Sequence, residues 1–159
     1  MKVIVLADTH SRELPAALIR DLAAADMIVH AGDFSDVEVY RHLKAMKDVR
    51  AVYGNMDEMA LRDILPKQLV IECEGVRIGL VHGDGAPVGM VARLGQLFKD
   101  QNVQVVVFGH SHEPYNEMLG GILFFNPGSP TDKVRAPYLS YGVLELKDGK
   151  VRAKIVRLG

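Results

Sequence analysis

A chain of 159 residues with 48% hydrophobic and 25% charged side chains can bury a continuous core without cross-links, so neither disorder nor a fibrous repeat is expected. A formal net charge of −1 removes the general attraction for a nucleic-acid polymer or an anionic membrane that a basic protein would have. Cys73 is the only cysteine, which excludes a disulfide within the chain and fits a reducing compartment.

Met1-Lys2 and the apolar run that follows are too short for a signal-peptide core, and no stretch is long enough to span a bilayer. The expectation is a soluble, cytoplasmic protein with one domain over residues 1–159 and no linker or repeat.

Val3 to Ala7 reads as a buried strand. Leu14, Leu18, Ile19 and Leu22 then recur at helical spacing, with Pro15 tolerable in a first turn. Met27 to Ala31 is a second strand, Val39, Tyr40, Leu43 and Met46 mark one helical face, and Val49 to Tyr53 is a third strand. This alternation implies parallel strands joined by helical crossovers. A short polar helix ends at Leu65-Pro66, and Gln68 to Glu74 pairs with Val76 to Val81 around Glu74-Gly75. Val88, Val91, Ala92, Gly95 and Phe98 predict another amphipathic helix, and the β-branched run Val103 to Phe108 a strand covered on both faces. From Pro114 onward antiparallel strands are expected at Tyr115–Leu119, Ile122–Phe125, Leu139–Leu146 and Val151–Leu158, with tight turns at Gly120-Gly121 and Asp148-Gly149. Two mixed sheets packed face to face with helices outside would bury every apolar side, so the predicted fold is an α/β, four-layer α-β-β-α sandwich.

The informative polar residues all follow apolar strands, where loops at a sheet's carboxyl edge can gather them. They are Asp8-Thr9-His10, Gly32-Asp33, Gly54-Asn55-Met56-Asp57, His82-Gly83 and Gly109-His110-Ser111-His112. The i, i+2 spacing within Asp8/His10 and His110/His112 puts each pair on one side of an extended segment, as chelation needs. Carboxylate, amide oxygen and imidazole together suit a divalent transition metal, with manganese foremost and nickel, zinc or iron as alternatives, better than magnesium. Seven donors exceed one tetrahedral ion and serve two ions about 3.5–4 Å apart if one carboxylate bridges them. Asp33 is the natural bridge. Such a pair would acidify a shared water into a hydroxide nucleophile and clamp phosphate oxygens for in-line displacement.

The ordered set D-x-H, G-D, G-N-x-[DE], H-G and G-H-x-H, spanning about two thirds of the chain from Asp8 to His112, resembles the calcineurin-like metallophosphoesterase family. The short length, the Asn126-Pro127-Gly128-Ser129 turn and the closing strands resemble its small bacterial and archaeal phosphodiesterase branch. The resemblance implies that Asp8, His10, Asp33 and His112 hold a first metal ion and Asp33, Asn55, His82 and His110 a second. One position departs: Met56 stands where the family carries a histidine that contacts phosphate or helps the leaving group, and a thioether cannot donate a proton.

The implied activity is hydrolysis of small phosphate diesters, with a phosphomonoesterase as the alternative enzyme. A protein-interaction scaffold on the same fold is the alternative of another class. Two divalent ions, Asp8, Asp33 and a bridging hydroxide sum to about +1, which matches a diester monoanion. Arg12 could reach a bound phosphate or be an ordinary exposed arginine, and Asp57 could favour a helix N-terminus or orient a ligand. His30 reads as a hydrogen-bonded core residue, His42 as surface, Cys73 as packing and Asn126 to Ser129 as a turn. A homodimer is the default assembly.

Overall fold

The computed structural model describes residues 1–159. Strand β1 (Lys2–Leu6), helix α1 (Ala16–Ala23), β2 (Met27–His30), α2 (Val37–Met46) and β3 (Val49–Ala51) form the alternating first third. Short α3 (Met59–Ile64) leads to the hairpin β4 (Gln68–Cys73) and β5 (Val76–Val81), then α4 (Met90–Phe98) and β6 (Val105–Val107). The hairpins β7 (Tyr115–Leu119)/β8 (Ile122–Asn126) and β9 (Ser140–Lys147)/β10 (Lys150–Arg157) complete the chain.

The strands make two five-stranded mixed sheets, ordered β10-β9-β1-β2-β3 and β4-β5-β6-β8-β7. The layering follows from the pleat. Val3, Val5 and Val29 of the first sheet meet Ile78, Val105 and Phe125 of the second in one buried cluster. The alternate residues Ile4, Leu6 and Ile28 face outward onto Leu18 and Leu22 of α1, Leu43 of α2 and Leu61 of α3. On the far side, Met90, Leu94 and Phe98 of α4 cover Val106 and Phe124. Strands buried on both faces read as continuous apolar runs, which is why β1, β2 and β6 were recognisable without alternation. The result is the four-layer α-β-β-α sandwich, and no helix is long and apolar enough to cross a membrane.

Three details differ from the sequence expectation. Val88 lies outside α4 and is 88% exposed, because Gly89 takes a left-handed φ of 78° and starts the helix at Met90. The closing strands are not purely antiparallel: β8 pairs antiparallel with β7 but parallel with β6. Strand β9 returns to the first sheet beside β1, so the last hairpin extends the sheet that opened the chain.

Candidate metal centre

The ends of β1, β2, β3, β5 and β6 bring Asp8, His10, Asp33, Asn55, His82, His110 and His112 to one place. Asp33 Oδ2 lies 3.2 Å from His82 Nε2 and 3.8 Å from His10 Nε2. Asp8 Oδ1 lies 3.5 Å from His112 Nε2 and 3.8 Å from both His10 Nε2 and His82 Nε2. Asn55 Oδ1 sits 3.0 Å from His82 Nε2 and 3.3 Å from His110 Nδ1. Two overlapping groups emerge, Asp8/His10/His112 and Asp8/Asp33/His82, each with donor atoms within 4.8 Å of one another. The sequence reading placed the shared position at Asp33, whereas the residue common to these two groups is Asp8, with Asp33 Oδ2 3.8 Å from His10 Nε2.

Each imidazole turns its second nitrogen outward onto a protein partner. Carbonyl oxygens only accept, so His82 donates Nδ1–H to Ala31 O at 2.8 Å and His110 donates Nε2–H to Gly85 O at 3.0 Å. His112 donates Nδ1–H to the Asp132 carboxylate at 2.6 Å, and His10 Nδ1 meets Ser35 Oγ at 3.3 Å. The inward nitrogens of His10, His82 and His112 face the two carboxylates and that of His110 faces Asn55 Oδ1, an arrangement in which outer contacts fix ring orientation and tautomer for metal ligation.

A cation fits this cage. Asp8 Oδ1 is fully buried with no hydrogen-bond partner of its own. An unsatisfied buried carboxylate oxygen costs several kcal/mol or more, and a divalent ion among the surrounding nitrogens removes that cost. Titration behaviour agrees. Burial pushes the Asp8 carboxyl up to about 7. Burial lowers His10 and His112, which therefore present neutral imidazoles. Burial also opposes a charge on His82, yet its hydrogen bond to Asp33 and the field of Asp8 raise its pKa, so the carboxylates draw a proton there in the absence of another cation.

The two i, i+2 pairs do not lie on extended segments as their spacing predicts; the local backbone is bent instead. Asp8, His10, Asp33, His110 and His112 all have φ between 49° and 72°, the left-handed region that costs L-residues about 1–2 kcal/mol each. Close approach adds a second constraint: a methyl on Gly54 would overlap the Asp33 carboxylate, and one on Gly109 would come within 2.9 Å of Asp8 Oδ2.

Asp57 and Arg12 have specific roles. Asp57 is buried and accepts N–H bonds from Asp33 (3.0 Å), Ser35 (2.8 Å) and Gly54 (2.7 Å), tying the loops after β2 and β3 together. The residue preceding α3 is Glu58, so Asp57 is not its cap. Arg12 is half-exposed and donates to Thr131 O at 3.2 Å, with Asp132 Oδ1 3.4 Å away. His30 is buried, contacts Thr9 Oγ1, accepts from Gly32 N–H and stacks on Phe34.

Sequence reasoning took Asn126 to Ser129 as a simple turn and missed that this turn and the Thr131–Asp132 stretch after it support the site. Asn126 donates to Gly109 O and Ser111 Oγ, Ser129 donates to Asp8 O, and Thr131 donates to Thr9 O, bracketing both i, i+2 pairs from behind. Asp132 is buried. Despite that burial, N–H bonds from Arg135 and Val134 and the His112 contact hold its carboxyl well below the usual range.

Fold and donors together define a metal-dependent phosphoester hydrolase class, and residues 1–149 match the calcineurin-like phosphoesterase superfamily domain. The chain belongs to that superfamily. It is 37% identical to a probable metallophosphoesterase of Methanocaldococcus jannaschii over 98% of this chain and 81% of the relative. A second probable metallophosphoesterase, from Methanothermobacter thermautotrophicus, is 32% identical over 100% of this chain and 94% of the relative. The crystal structure of wild-type Vps29 complexed with zinc from Entamoeba histolytica is similar with a TM-score of 0.80 and 27% identity, covering 99% of both chains.

Proposed function

We propose that the chain is a dinuclear metal-dependent phosphodiesterase acting on small phosphate diesters. The observation that carries this reading is the partnerless Asp8 Oδ1, buried where two overlapping donor groups meet. Asp8, His10, Asp33 and His112 would hold one ion, and Asp33, Asn55, His82 and His110 the other, with Asp8 Oδ1, 3.8 Å from His82 Nε2, beside both. When bound, the ions supply Lewis-acid polarisation of the phosphoryl group and acidify water for attack.

The chain's own residues orient and neutralise. The opening to the centre is lined by Arg12 and Arg135 as well as by Asp33 and Asp132, so two guanidinium groups stand beside Asn55 and His110 where a phosphate would enter. Arg12 is held by Thr131 O and Asp132, which limits the side-chain entropy lost on binding an anion. Met56 lies in the same opening, 60% exposed, and offers no proton. Proton delivery to the departing alkoxide therefore falls to water, which favours esters of acidic alcohols.

The diester preference rests on charge, since a site of about +1 matches a monoanion better than a monoester dianion. A complete donor set supports an enzyme over a scaffold. The test is turnover of bis-p-nitrophenyl phosphate against p-nitrophenyl phosphate with manganese, nickel or zinc. Metal-dependent hydrolysis with the higher kcat/KM for the diester supports the reading; a clear preference for the monoester replaces it with a phosphomonoesterase, and no metal uptake or turnover points to a scaffold.

A further inference from the structure

Next to the metal centre, and sharing Asn55 and His82 with it, lies a second cavity of about 520 Å³, within the size range of small-molecule sites. It opens between the ends of β3 and β4, the Gly83–Asp84 turn and α4. Met90, Leu94 and Leu97 line it from one helix, and Tyr53 from the end of β3. Its cations are Arg62, Lys67 and Arg93, against a single carboxylate, Asp84. On a chain of net charge −1 this is a local positive excess.

The three cations are not equivalent. Arg62 lies over the Tyr53 ring at 5.4 Å and donates to Asn55 O and Asp57 O at 2.8 and 2.9 Å, so it holds the Asn55 loop. Arg93 donates to the carbonyls of Asp84, Ala86 and Val88, which fixes the loop whose Gly85 carbonyl orients His110. Both arginines are committed to the walls. Lys67 is exposed and makes neither an ion pair nor a side-chain hydrogen bond within the chain. Its position is set because Pro66 O accepts the Tyr53 N–H at 3.1 Å, which keeps the start of β4 beside Gly54 and Asn55.

We propose that this cavity seats one alcohol arm of the diester, and that the arm it fits carries an aromatic or nucleobase ring and a further anionic group. The ring lies against Leu94 and Leu97 opposite Tyr53, and the second anion meets Lys67: the arm is of nucleotide class. This rests on the phosphodiesterase reading above. Physical grounds for it are the division of the cavity into an apolar wall and an uncommitted cation, and its continuity with two residues of the metal centre.

The experiment compares three chromogenic diesters with manganese: methyl p-nitrophenyl phosphate, the 5′-p-nitrophenyl ester of thymidine 5′-phosphate, and the 5′-p-nitrophenyl ester of thymidine 3′,5′-bisphosphate. The expected order of kcat/KM is bisphosphate ester, then nucleoside ester, then methyl ester. Lys67→Ala should lower the ratio of the bisphosphate ester to the nucleoside ester by about two- to fivefold, the range of one exposed charge contact. Leu97→Asp should lower both nucleoside esters relative to the methyl ester. Equal kcat/KM for all three, or an unchanged ratio in Lys67→Ala, overturns the proposal. If none of the three is turned over, the phosphodiesterase reading fails, and calorimetric titration with thymidine 3′,5′-bisphosphate judges the cavity separately. Binding that Lys67→Ala weakens sustains the site; no binding, or equal binding by both proteins, overturns it.

Discussion

Asp57→Asn isolates the effect of one buried carboxylate on the whole centre. In the native chain Oδ2 accepts from Asp33 N–H at 3.0 Å and Gly54 N–H at 2.7 Å, while Oδ1 accepts from Ser35 N–H at 2.8 Å. Asparagine has one acceptor oxygen. Placed where Oδ2 was, it keeps two bonds in weaker, uncharged form and turns its NH2 group onto the Ser35 N–H, donor against donor. One lost charge-assisted bond and one orphaned N–H amount to about 2–3 kcal/mol. For a chain of this size that corresponds to a fall in Tm of about 5–10 °C. Calorimetric unfolding of the metal-free protein measures this, and manganese titration of the same variant measures the second consequence. Because Asp33 and Asn55 lie on the two loops that Asp57 ties, metal affinity should drop about 10- to 100-fold, the usual size of such outer-contact effects. Wild-type Tm together with wild-type affinity would refute the reasoning, since the three N–H bonds would then constrain nothing.

Asp132→Ala leaves His112 Nδ1–H without its acceptor, and manganese affinity should fall about 10- to 100-fold. Calorimetry checks this, with unchanged affinity as the contrary outcome. Protons compete with the metal, because the Asp8 carboxyl is pushed up to about 7 and His82 is also raised. As pH falls through 7 the Asp8 carboxyl gains a proton, and His82, raised by Asp33 and Asp8, holds its own more firmly than a free imidazole; the ion must displace both, so affinity should decline towards pH 6 and binding should release protons. Titrations in buffers of different ionisation enthalpy read that release directly, and zero release at pH 6.5 contradicts it. Met56→His restores a proton donor at the opening, and the dependence of rate on leaving-group pKa should become shallower than in the wild type. Identical slopes would remove Met56 from the account.

The sandwich was legible because β1, β2 and β6 are buried on both faces and end abruptly in polar residues. Val3–Ala7 stops at Asp8 and Val103–Phe108 stops before Gly109, so position along the strand and residue type pointed to the same edge. Val88 was misplaced because its apolar side chain fits the helical period, and period alone does not register the left-handed Gly89 that starts the helix later. Asp132 was invisible for a different reason. It stands 20 residues beyond His112, on a loop without periodicity, and reaches the imidazole only because β9 returns to the first sheet beside β1. The Asn126-Pro127-Gly128-Ser129 turn was the available signal, since its polar residues follow a strand end as the other site loops do. Asp57 was visible as a residue but not as a clasp, because its three partners are backbone N–H groups that carry no sequence signature.

The central claim is that Asp8 Oδ1 marks the meeting point of two cation positions. Equilibrium dialysis of the metal-free chain against manganese, followed by elemental analysis, tests it most directly. The account predicts two ions per wild-type chain and loss of tight binding in Asp8→Ala that remains folded by circular dichroism. Absence of bound manganese in the wild type, or wild-type stoichiometry and affinity in Asp8→Ala, would contradict it.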